Sequence, residues 1–369
     1  MLVKGRLGSA GEIELEKKET IPVENPERWQ FKPGSPSWLA GVYGDVGVNG
    51  DTSHISLGVD TILRHVDFTA AFEGEARKGR FGIENGFLYL GLSDNVGTGG
   101  MLSSVDVQVN EYLIDFSLSW RVVDTPRGWL DLLLGTRYTN LYQEIALHRN
   151  DDSIEAESAR LVDAASDQIR DRLLGILSNG RFRERIRAAV DARLSDDLEI
   201  LEGRKPVLPI GPLGAAAADR LKARIRSIIE ERAAQIASSL RGRARMSEAE
   251  VRRRVDASKA DLERAISRTL KRTLGSTYSK SNDWFDPYIG FRARYNLSNA
   301  FYLTGRGDIG GFGVGSDLTW QVYGALGCQL SKRVFAEAGY RCLFVNYRHD
   351  GLIYEVYTRG AQLTLGILF

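Results

Sequence analysis

Polar and apolar residues change their spacing twice along this chain. From Trp38 to about Leu147 they alternate one by one; from about Asp152 to Gly275 apolar residues return every three or four positions; from Trp284 to the end the alternation resumes. Side chains on a strand point to opposite faces in turn, whereas a helix repeats every 3.6 residues. The pattern therefore predicts strands, then helices, then strands again.

The last third is the most regular. Ile289, Phe291, Ala293, Tyr295 and Leu297 alternate with Tyr288, Gly290, Arg292, Arg294 and Asn296. Phe301, Leu303 and Ile309 oppose Tyr302, Thr304, Arg306 and Asp308, and Leu318, Trp320, Val322 and Leu326 oppose Thr319, Gln321 and Tyr323. Val334, Ala336, Ala338 and Tyr340 oppose Glu337, Gly339 and Arg341, and the final strand sets Ala361, Leu363, Leu365, Ile367 and Phe369 against Gln362, Thr364 and Gly366.

The same code runs through the first part. Trp38, Ala40, Val42 and Val46 oppose Tyr43 and Asp45; Phe68, Ala70 and Phe72 oppose Glu73, Glu75 and Arg77. Residues 81–92 are less regular, with Glu84 on a face that otherwise reads as apolar. Tyr112, Ile114, Phe116, Leu118 and Trp120 oppose Asp115, Ser117, Ser119 and Arg121, while Leu130, Leu132, Leu134 and Tyr138 oppose Asp131 and Arg137. Val105, Val107 and Val109 have the opposite phase to the residues after them, which predicts a bulge near Asn110.

A soluble sandwich also alternates. Three features favour a membrane-spanning barrel instead. The polar face carries both signs of charge near mid-strand while the apolar face is nearly free of them. Aromatic residues collect at strand ends, at Trp38, Trp120, Trp129, Phe301 and Phe369, as in an interfacial girdle. The chain also stops on Phe369 at the end of an alternating strand. The expected fold is mainly β, an antiparallel up-and-down transmembrane barrel of about ten strands, with an α-helical insert in one long loop. Its expected parts are a polar leader (1–37), the first half of the barrel (38–147), the insert (148–283) and the second half (284–369).

The run FDPYIGFRARYNLSNAFYLTGRGDIGGFGVGSDLTWQVYGALGCQLSKRVFAEAGYRCLFVNYR resembles the C-terminal half of small outer-membrane β-barrel proteins of Gram-negative bacteria. LRHVDFTAAFEGEARKGRFGIENGFLYLGLSD resembles the second and third strands of uncharacterised members of that group. The resemblance implies outer-membrane lipid and the barrel-assembly machinery as partners, with Phe369 as the membrane-insertion signal. It is specific for architecture and nearly silent on activity. The helical insert departs from the compact form. Residues 1–18 contain neither an apolar h-region nor a small-residue cleavage site. A shortened start, a processed chain or a cytoplasmic protein each accounts for that.

Turn lengths predict topology. Short turns at Gly79, Pro126, Asn299 and Lys332 alternate with longer connections, so short turns share one rim and long ones the other. In outer-membrane barrels the short turns face the periplasm, which sends the insert outward. Residues 56–65 are expected to form a short helix on the outer rim.

Within the insert, Ile154, Leu161, Ala165, Ile169, Leu173 and Ile176 form one stripe, with Ser158 its polar member and Asn179-Gly180 as its stop; Phe182, Ile186, Val190 and Leu194 form a second. Leu221, Ile225, Ile228, Ile229, Ile236 and Leu240 form a third, and Ser247 with Glu250 reads as a capping box before Val251, Val255, Leu262, Ile266, Leu270 and Leu274. Three or four helices would bury these stripes as a bundle. Its arginines, including Arg241, Arg243, Arg245 and Arg252 to Arg254, read first as a solvated face and second as a surface for lipopolysaccharide or a protein partner. Nucleic acid is not expected as a partner, because the insert has almost no aromatic residues among its basic ones.

Composition changes little. The net charge is +1 and no apolar run reaches the length of a membrane helix, which leaves strand crossing open. The expected lumen set is Asp45, Glu73, Glu75, Asp115, Asp131, Arg137, Arg292, Arg294, Arg306, Asp308, Glu337 and Arg341. Both signs in a narrow interior point to a salt-bridged plug, with a small-solute channel as the alternative. A lipid-modifying enzyme would need a Ser–His pair with an orienting group. His54, His65, His148 and His349 all fall in or beside outward loops without such a third member at fixed spacing. No catalytic residue, cofactor or metal site is therefore assigned. The glycine-rich run from Gly305 to Gly315 precedes a strand rather than a helix, unlike a phosphate loop. Arg306 and Asp308 of its RGD triplet point inward. Cys328 and Cys342 are expected opposite Ala336 and Val322, too far apart to bridge.

Overall fold

The computed structural model describes residues 28–48, 51–198, 213–240 and 247–369. The outer part of the chain is β1 (Gln30–Val48), β2 (Asp51–Leu57), α1 (Val59–His65), β3 (Val66–Lys78), β4 (Phe81–Gly97), β5 (Leu102–Thr125) and β6 (Gly128–Arg149). The insert is α2 (Asp151–Leu173), α3 (Asn179–Leu198), α4 (Leu213–Ser239) and α5 (Glu248–Thr273). Then follow β7 (Thr277–Asn296), β8 (Phe301–Gly310), β9 (Leu318–Gln329), β10 (Val334–His349) and β11 (Leu352–Ile367).

Each strand from β3 to β11 pairs antiparallel with the next, and β11 pairs with β1 from Gly34↔Gly366 to Val48↔Leu352, closing the ring. Eleven strands occupy ten places. The upper half of β1 pairs with β2 and its foot pairs with β3, so β2, α1 and β3 together fill one position in the wall. The helix expected at residues 56–65 is α1, and it sits between two strand segments rather than on a free loop. β1 begins at Gln30, so residues 30–37, expected in the leader, belong to the first strand. The rest of the leader lies outside the described residues.

The four expected short turns lie at one rim with the start of β1 and the end of β11, where Phe369 N–H donates to Phe31 O at 2.9 Å. At the other rim the connections differ in kind. β10 and β11 climb to a two-residue turn in which Asp350 (φ 53°) and Gly351 (φ 71°) take the left-handed conformations a tight hairpin requires.

The outer surface at mid-height is apolar and ringed by aromatic pairs set by register. Phe68 meets Tyr89, and Tyr89 meets Tyr112 with centroids 4.7 Å apart; Tyr138 meets Phe285 at 4.8 Å, and Phe344 lies between Trp320 and Tyr357. Nearer the short turns, Phe31, Phe81, Trp120, Tyr295, Phe301 and Phe369 are exposed. Between these levels β5 presents Ile114, Phe116 and Leu118 outward. That span matches the nine to eleven or so residues a tilted strand needs to cross a bilayer core.

Above the belt both faces exchange character. On β5 the inward series runs Arg121, Ser119, Ser117, Leu113, Val107, Val105, and the outward series from Trp120 and Phe116 to Asn110, Gln108 and Asp106. No bulge occurs at Asn110: pairing continues unbroken from Leu92↔Val109 to Leu90↔Glu111, and the irregularities lie at Leu102/Ser104 and Arg121/Val123. The valines changed phase relative to polarity, not relative to the backbone. The same exchange corrects β1. Trp38, Val42 and Val46 pack inward against Leu113, Trp284 and Val356, and Asp45 is half exposed outside.

The insert is a four-helix bundle in which α2 touches α3 and α5, and α4 touches α3 and α5. Consecutive helices are therefore neighbours, as in an up-and-down bundle. Ile154, Leu161, Ile169, Phe182, Ile186, Leu194, Leu221, Ile225, Val251, Ile266 and Leu270 are at most 1% exposed. The buried Ser158 hydroxyl donates back to Ile154 O at 2.7 Å. α2 stops earlier than expected, at Leu173, where Gly175 (φ 77°) turns the chain and leaves Ile176 exposed. Ser247 Oγ caps α5 by accepting from Glu250 N–H. Asn150 alone separates β6 from α2, and its side chain caps that helix while its N–H donates to Met101 O. Residues 205–212 and Arg241, Arg243 and Arg245 lie outside the described residues.

Candidate functional site

The lumen has two storeys. The lower one, on the side of the short turns, is charged, and Asp131 of β6 is its centre. Asp131 is fully buried and accepts from Arg77 at 2.5 Å, from Arg121 at 3.0 Å and from Arg292 at 3.0 Å. Glu75 joins Arg77 to Arg292, and Glu84 lies 3.0 Å from Arg292 and 3.5 Å from Arg306. Trp129, expected in the outer girdle, faces inward with its ring beside the guanidinium groups of Arg121 and Arg292.

One level higher, fully buried Arg137 bridges Asp115 at 3.0 Å and Asp308 at 3.1 Å and reaches Thr319 at 3.4 Å. Arg306 donates to Asp308 at 3.2 Å and to Tyr288 Oη at 2.8 Å. Gln321 Nε2 donates to Asp308 and its oxygen accepts from Arg341. A third group surrounds Glu337, which accepts from Tyr302 at 2.9 Å, from Tyr323 at 3.3 Å and from Lys32 at 3.3 Å. The Tyr302 ring lies flat on Gly327, where a Cβ would come within 2.1 Å of it.

Of the expected set, Glu75, Asp115, Asp131, Arg137, Arg292, Arg306 and Asp308 are joined in one network with Glu84, Arg77 and Arg121. Glu337 belongs to the neighbouring group. Arg294 donates to Asn296 and lies over the Tyr302 ring at 3.5 Å. Arg341 pairs with Gln321 and lies over Trp38 at 4.5 Å. Glu73 faces the lumen cavity with no ion pair among the described residues, and Asp45 is not in the lumen but bonds His54 outside at 2.8 Å. Sequence reasoning left Arg77, Arg121, Glu84 and Lys32 out of the set, although Arg77 and Arg121 stood on its polar faces. Glu84 was hidden because it shares its face with Leu88 and Leu92, and Lys32 because it was counted in the leader.

The upper storey is apolar. Leu113, Leu141, Trp284, Leu343, Val345, Tyr354 and Val356 pack into one cluster. Trp284 Nε1 and Ser316 N–H both donate to Asp286, and Tyr354 Oη donates to Glu111 at 3.4 Å. The space left inside the charged storey is a cavity of about 160 Å³ that runs from Glu75, Trp129 and Arg292 up past Glu73 and Arg341 to Trp38 and Leu113.

All the histidines lie above the belt beside a carboxylate. His148 is 2.7 Å from Asp106, His65 is 3.6 Å from Asp94 and His349 is 3.5 Å from Asp317, in addition to the His54–Asp45 pair. Among the described residues none is hydrogen-bonded to a serine hydroxyl, and no group of His, Cys, Asp and Glu has a metal-binding arrangement. Arg306 and Asp308 are paired inside the lumen network, so the RGD triplet is not displayed. Cys328 and Cys342 stand opposite Ala336 and Val322 and are free.

No known family model matches this chain, and no curated protein matches it. Among solved structures it is similar to the outer-membrane protease OmpT from Escherichia coli, with 8% identity, a TM-score of 0.40, and coverage of 94% of this chain and 98% of that one. It is also similar to the translocator domain of the autotransporter NalP from Neisseria meningitidis (9%, TM-score 0.35, 94% and 90% covered). A third similar structure is Ail, the attachment invasion locus protein of Yersinia pestis (9%, TM-score 0.27, 93% and 99% covered). Likeness at this level says nothing of activity; the closed strand ladder of this chain is itself what makes it a β-barrel.

Proposed function

We propose that this chain is a Gram-negative outer-membrane barrel whose work is done by the bundle it carries, the barrel serving as a rigid, axially closed mount. The observation that carries the reading is the junction between them. β6 passes into α2 through one residue, Leu147 N–H donates to Ser276 O, and Arg149 ties to Asp151 and to Lys271 O. A linker meant only to close a loop would not be built into the ladder in this way.

Closure of the lumen supports the same reading. A solute moving along the axis would have to separate the Asp131 and Arg137 ion pairs and then part the cluster around Trp284 and Tyr354. Breaking a buried pair is costly. On the bundle, Arg268 and Arg272 lie on the exposed side of α5 close to its junction with β7, at a level suited to lipopolysaccharide phosphates. The bundle tip is left for a protein partner.

The test combines two measurements on the full chain. Purified barrel in a planar bilayer should show no unitary conductance, and one should open only when Asp131→Ala and Arg137→Ala are combined with Trp284→Ala and Tyr354→Ala, which loosen the upper cluster. Binding of the full chain to lipopolysaccharide should weaken when Arg268 and Arg272 become Gln. Steady conductance by the unaltered chain would favour the small-solute channel, and lipid hydrolysis dependent on a rim histidine would favour an enzyme.

A further inference from the structure

The barrel wall has a gap. β1 pairs with β3 only from Gln30↔Arg77 to Gly34↔Glu73, and with β2 only from Val42↔Leu57 upward. Residues 35–41 of β1 and residues 66–72 of β3 therefore face each other without a ladder. At the lower end Ser35 Oγ still donates to Ala71 O at 3.5 Å. Ile62 of α1 packs against the upper strands, so α1 bounds the gap from above.

The position of the gap matters more than its existence. Leu39, Phe68 and Phe72 flank it on the outside and are exposed, which places it within the apolar belt. Unpaired backbone groups facing hydrocarbon are strongly unfavourable, so irregular backbone at that depth is found where it borders protein or a polar cavity. Here it borders the cavity of the charged storey, whose lining includes Pro36, Trp38, Ala71 and Phe72 from the two edges of the gap.

Polar groups inside that cavity are incompletely partnered. Trp38 Nε1 is buried and has no acceptor among the described residues. Arg341 bonds the neutral Gln321 and stacks on Trp38, but makes no ion pair among the described residues; Glu73 makes none either. A donor pair and a carboxylate thus look into one space that opens sideways to lipid.

We propose that this cavity takes the head of a single-chain amphiphile bearing a carboxyl group, with its alkyl chain leaving through the gap into the bilayer. One carboxyl oxygen accepts from Arg341 and Trp38, while the acid proton is shared with Glu73. Ala71, Phe72 and Pro36 line the passage of the first methylenes. The site is reached from the membrane, so axial closure of the barrel does not oppose it.

The probe is 2-bromododecanoic acid, whose bromine sits on the carbon next to the carboxyl group, titrated into the full chain in lipid nanodiscs while tryptophan fluorescence is read; bromine quenches indole at short range. A saturable component is expected that disappears in Trp38→Phe. Arg341→Gln and Ala71→Phe, one removing the head partner and the other narrowing the passage, should each raise half-saturation by about tenfold or more. Glu73→Gln, which keeps size and removes charge, gives an independent reading if Arg341→Gln fails to assemble. Heat-modifiable gel migration reports assembly, which separates loss of the barrel from loss of the site. Equal quenching by bromododecane, which has no head, would overturn the proposal. So would unchanged half-saturation in assembled Arg341→Gln and Ala71→Phe, or in assembled Glu73→Gln.

Discussion

Replacing Arg137 by Met removes a charge while keeping most of the side-chain bulk. Arg137 is fully buried and is the bridge between Asp115 on β5 and Asp308 on β8, two strands that do not pair with each other. Removing one member of such a buried pair typically costs about 3–5 kcal/mol, chiefly because its partner is left charged and unsolvated. Two features moderate the cost here. Asp308 keeps Arg306 at 3.2 Å and Gln321 at 3.3 Å, and Asp115 keeps Arg306 at 3.5 Å. The expected loss is therefore at the lower end, about 3 kcal/mol, or roughly a hundredfold in the unfolding equilibrium. It can be measured as a shift in the urea midpoint of detergent-solubilised barrel, followed by gel migration and intrinsic fluorescence. Asp308→Asn in the Arg137→Met background should restore part of the loss, because it removes the stranded charge. Lys332→Ala, in an exposed turn, is the control and should stay within about 0.5 kcal/mol. If Arg137→Met is no worse than Lys332→Ala, the lumen is wet enough to solvate both carboxylates and the closed-barrel reasoning fails.

Phe369 is exposed on the outer face while its backbone bonds Phe31, so Phe369→Asp should reduce assembled barrel in membrane fractions without lowering synthesis; normal assembly would argue against its role in insertion. Because Leu147 already bonds Ser276, joining Arg149 to Ser276 through a short Gly/Ser turn should leave a heat-modifiable barrel, and residues 150–275 alone should give a helical circular dichroism spectrum. Ser247→Ala removes the cap of α5 and should lower the stability of that excised bundle by about 1 kcal/mol. In the bundle, the hydrogen bond from Lys271 to Glu155 holds the ammonium above its usual range. That contribution is complete below the unfolded lysine value and fades as pH rises through the folded one, so Glu155→Gln should bring the Lys271 titration down toward normal by NMR. The Arg264 hydrogen bond holds Asp261 below the usual carboxylate range, a contribution present at neutral pH and lost in acid, so Arg264→Gln should raise the Asp261 titration.

Strands β7 to β11 were legible in the sequence because inside the belt each keeps one polarity on each face, so Phe291 and Leu363 could be set outward from alternation alone. Even the placement of Cys328 against Ala336 followed from the turn at Lys332. β1 was misread for a physical reason. Polarity reports the medium on each side of a strand, and above the belt the medium outside is water while the interior is packed with apolar side chains. Trp38, Val42 and Val46 are apolar because they fill the lumen, and Asp45 is polar because it is outside. The same inversion produced a false bulge at Asn110 and concealed Glu84. The gap between β1 and β3 left no trace in alternation, since it concerns which backbone meets which. Bundle stripes were legible throughout, but the stop of α2 was placed at Asn179-Gly180 when Gly175 had already turned the chain.

The direct passage from β6 into α2 and from α5 into β7 has a mechanical consequence. A partner pulling on the bundle away from the membrane draws these two strands upward together, so the ladder between them bears little strain. The load passes to the ladders on either side, where hydrogen bonds are sheared side by side. On one side β5 holds β6 along nearly its whole length, from Leu102↔Arg149 to Thr125↔Gly128. On the other, β8 holds β7 only from Tyr288↔Gly310 to Asn296↔Tyr302. The short β8 ladder is thus where the mount yields first under tension, and the Arg306–Tyr288 bond between β8 and β7 and the Arg137–Asp308 bond from β6 to β8 act as its tie bars.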